Sequence, residues 1–150
     1  MTRTPLFERV EHYFDRQGLM RTLGARLELV EEGRVQVGLP NSERLSQEYG
    51  FLHAGAATAV VDSACGYAAF TMTEPGYRIL SVEFKVNLLR PAVGDHFLAE
   101  GRVVRAGRKL TVCTGTLTAD GGTDPFVLMQ ATIINLPPED GAEATGPQSS

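Results

Sequence analysis

Residues 51 to 70, FLHAGAATAVVDSACGYAAF, form an uncharged run interrupted by one carboxylate, Asp62, with a single histidine, His53, near its start. A run of that length is too long for a strand, and its alanines favour a buried, close-packed helix. The spacing predicts a helix from His53 or Ala54 to about Met72, ended by Pro75-Gly76. Along it Ala57, Val60, Val61, Ala64 and Ala68 fall on one stripe, and Gly55, Thr58, Asp62, Cys65, Gly66 and Ala69 on another. Small residues on both stripes let other backbone approach from every side, so the helix is expected to be wrapped rather than laid on a surface. Removing an ionised group from water is costly unless something compensates, so Asp62 is either well hydrogen-bonded or functional. Nearby hydroxyls on the helix, Thr58 and Ser63, are candidate partners. A membrane span fits poorly, because Asp62 falls mid-span and Ala, Gly, Thr and Ser stand where Leu and Ile are needed.

The rest of the chain supplies the wrapping. Residues 78 to 90 alternate, with Leu80, Val82, Phe84, Val86 and Leu88 on one face and Ser81, Glu83, Lys85 and Asn87 on the other, which predicts a long half-buried strand. Pro91 and Gly94-Asp95 end it. Three more strands follow at about 96 to 105, 109 to 119 and 125 to 135, joined by turns at Ala106-Gly107-Arg108 and Asp120-Gly121-Gly122. Ahead of the helix, ARLELVEEGRVQVGL reads as a hairpin turning at Glu32-Gly33, with Ala25, Leu27 and Leu29 facing inward. Leu6, Phe7, Val10, Tyr13 and Phe14 lie at helical spacing and predict a short amphipathic N-terminal helix. The expected fold class is therefore α+β, a long antiparallel sheet around one apolar helix.

A chain of 150 residues buries a proper core, and no linker divides it, so residues 1 to 136 are read as one domain. The tail from 137 to 150, PPEDGAEATGPQSS, has the composition of a disordered end. The N-terminus carries charges and no apolar segment of signal-peptide length. Cys65 and Cys113 are isolated on elements expected to be buried, which points to reduced thiols and a cytoplasmic location. His12, His53 and His96 are too scattered for a metal site, and neither a metal nor a cofactor is expected. The net charge of -4 argues against nucleic acid as a partner. Between 90 and 109, however, Arg90, Arg102, Arg105, Arg108 and Lys109 face only Asp95 and Glu100. A small basic patch of this kind suits a phosphorylated small ligand.

The element order, the segment G-F-L-H-A-G followed by Asp62, the strand opening S-V-E-F and the segment L-L-R-P-A-V-G-D (88 to 95) resemble the hotdog-fold acyl-CoA thioesterases, in particular the PaaI-type branch. The likeness runs from about Phe7 to Asn135. It implies that Asp62 is the catalytic carboxylate, as nucleophile or as general base on water. It also implies that His53 and Gly55 stand at the reacting end of the helix, where the Gly55 N–H polarises the thioester carbonyl, and that Ser81 lies near the reacting centre. Two positions depart from the family pattern: Ala54 replaces the first glycine after the histidine, and Gln47 replaces the usual asparagine six residues before it. Tyr49, Phe51 and Ala54 become candidates for shaping the acyl pocket, and Arg90, Arg105, Arg108 and Lys109 for contacting the coenzyme A phosphates.

Geometry adds a requirement of its own. Gly55 and Asp62 share a helix face but lie roughly 10 Å apart along the axis. A carbonyl under attack must be about 3 Å from both its oxyanion donor and its nucleophile. One chain cannot supply both, so cooperation of these groups demands a symmetric dimer, or a tetramer built from such dimers. Two other functions fit the same fold: an enoyl-thioester hydratase or dehydratase, and an acyl-CoA binding module without turnover.

Overall fold

The computed structural model describes residues 3 to 139, so most of the expected tail lies outside the described residues. The chain opens with α1 (Pro5–Phe14), started by the Thr4 side chain, which accepts a hydrogen bond from the Phe7 N–H at 3.1 Å, and by proline in the first turn. Its Val10 and Phe14 are buried. A second helix, α2 (Gly18–Leu23), ends at Gly24, whose φ of 73° is the left-handed conformation glycine adopts without strain. Then come β1 (Arg26–Glu31), β2 (Arg34–Pro40), a single 3-10 turn at Glu43–Leu45, the long helix α3 (Ala54–Thr71), β3 (Arg78–Leu88), β4 (His96–Ala106), β5 (Leu110–Ala119) and β6 (Val127–Leu136). The strands form one antiparallel sheet in the order β1-β2-β4-β5-β6-β3. This is the sheet-around-a-helix arrangement expected from the sequence.

Helix α3 packs against every strand of the sheet. Ala57, Val60, Val61, Ala64 and Ala68 are buried, as their spacing predicts, and Cys65, Gly66 and Ala69 of the second stripe are buried with them. The close approach depends on two facing glycines, Gly101 of β4 and Gly115 of β5. A Cβ on Gly101 would stand 2.3 Å from the Ala64 carbonyl, so only glycine lets the helix backbone rest on the sheet there.

Two expectations are corrected, and one element, α2, is additional to those expected, its six residues being too short a pattern to stand out. In β1 the register shifts between Leu27 and Leu29, which turns Leu29 opposite Gln36 and leaves Val30 as the buried residue. In β3 the register shifts between Ser81 and Glu83, so Val82 is an extra residue and the alternation breaks. Ile79 and Ser81 therefore share the helix-facing side with Phe84, Val86 and Leu88, while Leu80 turns away. The face read as half-buried is open in the single chain, with Leu80, Val82, Phe84 and Leu88 between 42% and 59% exposed. Among the described residues no helix is long and apolar enough to cross a membrane.

Candidate active site

Asp62 sits midway along α3, half-buried, on the side that faces β3. The Ser81 hydroxyl donates to its Oδ1 at 2.7 Å. The shift at Val82 is what makes this possible, because a regular strand would aim residues 81 and 84 at opposite faces. Oδ2 accepts no hydrogen bond from a protein group among the described residues. The hydroxyls expected from the helix do not serve: Ser63 donates instead to Gln17 Oε1 at 3.3 Å, and Gln17 Nε2 donates to the Tyr67 hydroxyl at 2.8 Å. Ser81, from a different element, fills the role.

His53 is the residue that caps α3. Its Nδ1 accepts the Gly55 N–H at 2.8 Å, and a Cβ on Gly55 would lie 3.0 Å from that nitrogen. The amide expected to polarise a carbonyl thus has an occupant, and a substrate oxygen must displace the imidazole to reach it. His53 and Gly55 open onto a cleft of about 250 Å³ lined also by Leu19, Leu23, Leu45 and Ala59. Leu19 and Leu23 come from α2 and escaped the sequence reading; the spacing of Leu19, Met20 and Leu23 before Gly24 was the only signal for them. Ala54 begins the helix beside this cleft and is half-buried.

Gln47 Oε1 accepts from the backbone N–H groups of Tyr49 (2.5 Å) and Phe51 (3.3 Å), so its carbonyl holds the loop before the helix. Tyr49 and Phe51 line a separate hollow of about 320 Å³ with Asn41, Ala92, Val93 and Asp95. The structure also divides the basic cluster. Arg90 stacks its guanidinium 4.0 Å above the Phe126 ring and pairs with Asp124 at 3.3 Å, near the start of β6. Arg102 is paired with Glu100. Arg105, Arg108 and Lys109 stand exposed at the β4–β5 turn, the end of the sheet where Thr111 and Ser81 both lie beside Ile133. The described residues hold no cluster of three metal-ligating side chains. Within one chain, then, Asp62 and Ser81 are joined, His53 and Gly55 are joined, and about 10 Å of helix separates the two pairs.

Comparison with known proteins agrees with this architecture. Residues 49–126 match the family described as the thioesterase superfamily. A presumed esterase of Halobacterium salinarum is 31% identical over 121 residues, covering 74% of this chain and 80% of the relative. The 1,4-dihydroxy-2-naphthoyl-CoA hydrolase of Listeria monocytogenes is 26% identical over 95 residues, 63% of this chain and 77% of that one. Among solved structures, a thioesterase family protein from Silicibacter pomeroyi is 46% identical, with a TM-score of 0.84 over 87% of this chain and 98% of that chain. The PaaI protein of E. coli, at 17% identity, shares the fold, with a TM-score of 0.79 over 87% of this chain and 93% of its own. The chain belongs to the thioesterase superfamily, has the hotdog fold that it shares with the E. coli PaaI protein, and is of the thioester hydrolase class its sequence motifs implied.

Proposed function

We propose that the protein hydrolyses acyl-CoA thioesters at sites made by two copies of the chain, with Asp62 from one and the start of α3 from the other. The observation that carries this is the Ser81–Asp62 hydrogen bond: it holds a half-buried mid-helix carboxylate by one oxygen and leaves the other free. Asp62 Oδ2 takes a proton from a water molecule as its oxygen attacks the thioester carbonyl carbon. The resulting oxyanion is met by the Gly55 N–H of the partner subunit, released from the His53 imidazole, with the positive end of the helix dipole behind it. The carbon–sulfur bond then breaks, the thiolate of coenzyme A leaves and takes up the proton, and the free acid departs. The apolar cleft at the helix start, between α2 and α3, receives the acyl group. Arg105, Arg108 and Lys109, at the Ser81 end of the sheet, contact the coenzyme A phosphates; Arg90, held by Phe126 and Asp124, is left out of that role.

Support comes from the family and from the Listeria relative, which by its name acts on an aryl acyl-CoA. The test is hydrolysis across a panel of aryl, medium-chain and long-chain acyl-CoA substrates by wild type, Asp62→Asn and Ser81→Ala. Asp62→Asn is expected to lower kcat by about 10²-fold or more. Ser81→Ala should lower it by about tenfold, the scale of one lost hydrogen bond. Equal rates for wild type and Asp62→Asn would remove Asp62 from the reaction. Hydration of an enoyl-CoA without thioester cleavage would replace hydrolysis by the hydratase chemistry.

A further inference from the structure

Thr111 and Asn135 are polar residues that the fold buries, and both lie under the β4–β5 turn. Asn135, near the end of β6, holds three successive carbonyls of that turn. Its Nδ2 donates to the Gly107 oxygen at 3.0 Å and to the Arg108 oxygen at 3.4 Å, and its backbone N–H donates to the Lys109 oxygen at 2.7 Å. Thr111 Oγ1 lies 3.2 Å from Nδ2 and 3.4 Å from Oδ1, so neither end of the amide is left without a partner. The Gly107 N–H closes the turn on the Leu110 oxygen at 2.9 Å, and a Cβ on Gly107 would stand 2.6 Å from that oxygen. A buried amide is costly unless its hydrogen bonds are made, and here they are spent on one exposed turn.

We infer that Asn135 is a positioning residue for coenzyme A: by gathering these carbonyls on the inner side of the turn it presents the Arg108 and Lys109 N–H groups outward, as a seat for a phosphate flanked by the side chains of Arg105, Arg108 and Lys109. The inference rests on the phosphate-contact reading above and adds what fixes the turn that makes those contacts. Across a planar trans peptide the N–H of one residue points opposite to the carbonyl of the residue before it. Holding the Gly107 and Arg108 carbonyls inward therefore aims the Arg108 and Lys109 N–H groups away from Asn135. Neither N–H has an acceptor among the described residues. Successive N–H groups at a turn make an anion-binding concavity, and cations beside it add charge-assisted hydrogen bonds.

The turn also lies at a workable distance from the reacting end. Thr111 and Ser81 are both paired with Ile133, so they stand two strand spacings, about 10 Å, apart. Arg108 is three residues beyond Thr111, which puts the turn about 14 Å from Ser81 and from the Asp62 it holds. An extended pantetheine arm spans that gap between thioester and pyrophosphate. The hydrogen bonds of Asn135 reach neither Asp62 nor Ser81, and its side chain carries no charge. Its loss leaves every cation in place and frees only the turn. The effect should therefore fall on binding of the phosphates and not on breaking of the carbon–sulfur bond.

The test delivers one acyl group in two forms, as its coenzyme A thioester and as its pantetheine thioester, which keeps the reacting end and lacks every phosphate. Hydrolysis is measured for wild type, Asn135→Ala, Gly107→Ala, and a double variant carrying Arg108→Ala and Lys109→Ala. Asn135→Ala removes the amide; Gly107→Ala disturbs the same turn from its exposed side without entering the core. Each of these two should raise KM for the coenzyme A thioester by about tenfold, the scale of one or two hydrogen bonds, with kcat unchanged. On the pantetheine thioester each should keep kcat/KM within about twofold of wild type. If either variant leaves KM for the coenzyme A thioester unchanged, lowers kcat, or loses kcat/KM equally on both thioesters, the positioning role is overturned. A rise in KM for the coenzyme A thioester alone in the double variant then leaves the phosphate reading standing. Wild type with equal kcat/KM on both thioesters, or a double variant that matches wild type on the coenzyme A thioester, overturns the phosphate reading and the inference together.

Discussion

Replacing Gly101 by alanine probes the contact that brings α3 onto the sheet. The added Cβ would stand 2.3 Å from both C and O of Ala64 and 2.5 Å from the Cys65 nitrogen. Carbon atoms prefer about 3.5 to 4.0 Å, so helix and strand must separate by more than about 1 Å. All three of these atoms are backbone, and no side-chain rotation relieves the overlap. Overpacking of a dense core costs about 1 to 3 kcal/mol, and an immovable backbone puts this case near the upper end, at about 3 kcal/mol. The roughly 0.4 to 1 kcal/mol that alanine gains by stiffening the unfolded chain does not offset that loss. Gly115, paired with Gly101, supplies the control: its Cβ would meet Val61 Cγ1 at 2.5 Å and Cys65 Sγ at 2.7 Å, both side-chain atoms that a rotation can shift, rather than backbone. Gly115→Ala should therefore cost less, about 1 to 2 kcal/mol. At about 2 to 4 °C per kcal/mol, Gly101→Ala lowers Tm by about 6 to 12 °C. The assay is thermal unfolding followed by circular dichroism at one fixed protein concentration, since any association shifts Tm. A Gly101→Ala variant within about 2 °C of wild type, or more stable than Gly115→Ala, would refute the argument.

The two thiols should be inert in the native protein: burial pushes Cys65 far above the usual thiol range, with neighbouring Cys113 and Asp62 adding to it, and burial pushes Cys113 up to about 12. Titration with a thiol reagent is expected to find no fast-reacting cysteine until denaturant is added, and rapid modification of the folded chain would contradict their burial. Glu100 gives an acid-side signature. Desolvation raises its pKa, but hydrogen bonds from Arg34, Gln36 and Arg102 together outweigh that and hold it below the ordinary carboxylate value. With the folded-state value depressed, its contribution is complete above the unfolded-state pKa of about 4.3 and is lost as pH falls through the folded one. Denaturant unfolding of Glu100→Gln should therefore fall less steeply than wild type below about pH 4.3, and parallel curves would remove Glu100 from the acid transition.

Local pattern made α3 legible because small residues on both stripes leave few ways to pack it, and the turns at Gly33, Gly107 and Gly121 delimited the hairpins. Asp62 stood out for the same reason: a charge inside an apolar run needs a partner. That the partner is Ser81 and not Thr58 or Ser63 depends on β3 lying beside α3 with one extra residue, and neither fact is local. The same extra residue, and its counterpart in β1, defeats extrapolation by twos, which is why Leu29 and Leu80 were assigned to the wrong face. Alternating apolar residues in β3 look alike whether they enter a core or an interface, so exposure of Phe84 and Leu88 was invisible before the fold. Gln47 was a candidate through the family resemblance and Arg90 through the run of cations; their side chains are engaged by the loop backbone and by Phe126 with Asp124. Arg90 also lies a strand's length from Arg108, although the two are close in sequence.

Mixing two inactive variants tests the shared site most directly. Asp62→Asn removes the base, and Gly55→Pro removes an N–H in the first helical turn, where proline is tolerated. After subunit exchange at equal amounts, half the dimers are mixed, and each mixed dimer holds one site with both intact groups. Acyl-CoA hydrolysis is then expected to recover to about a quarter of the wild-type rate. If Asp62 instead works with the Gly55 of its own chain, every site in the mixed dimer carries a defect, and the mixture stays as inactive as its components.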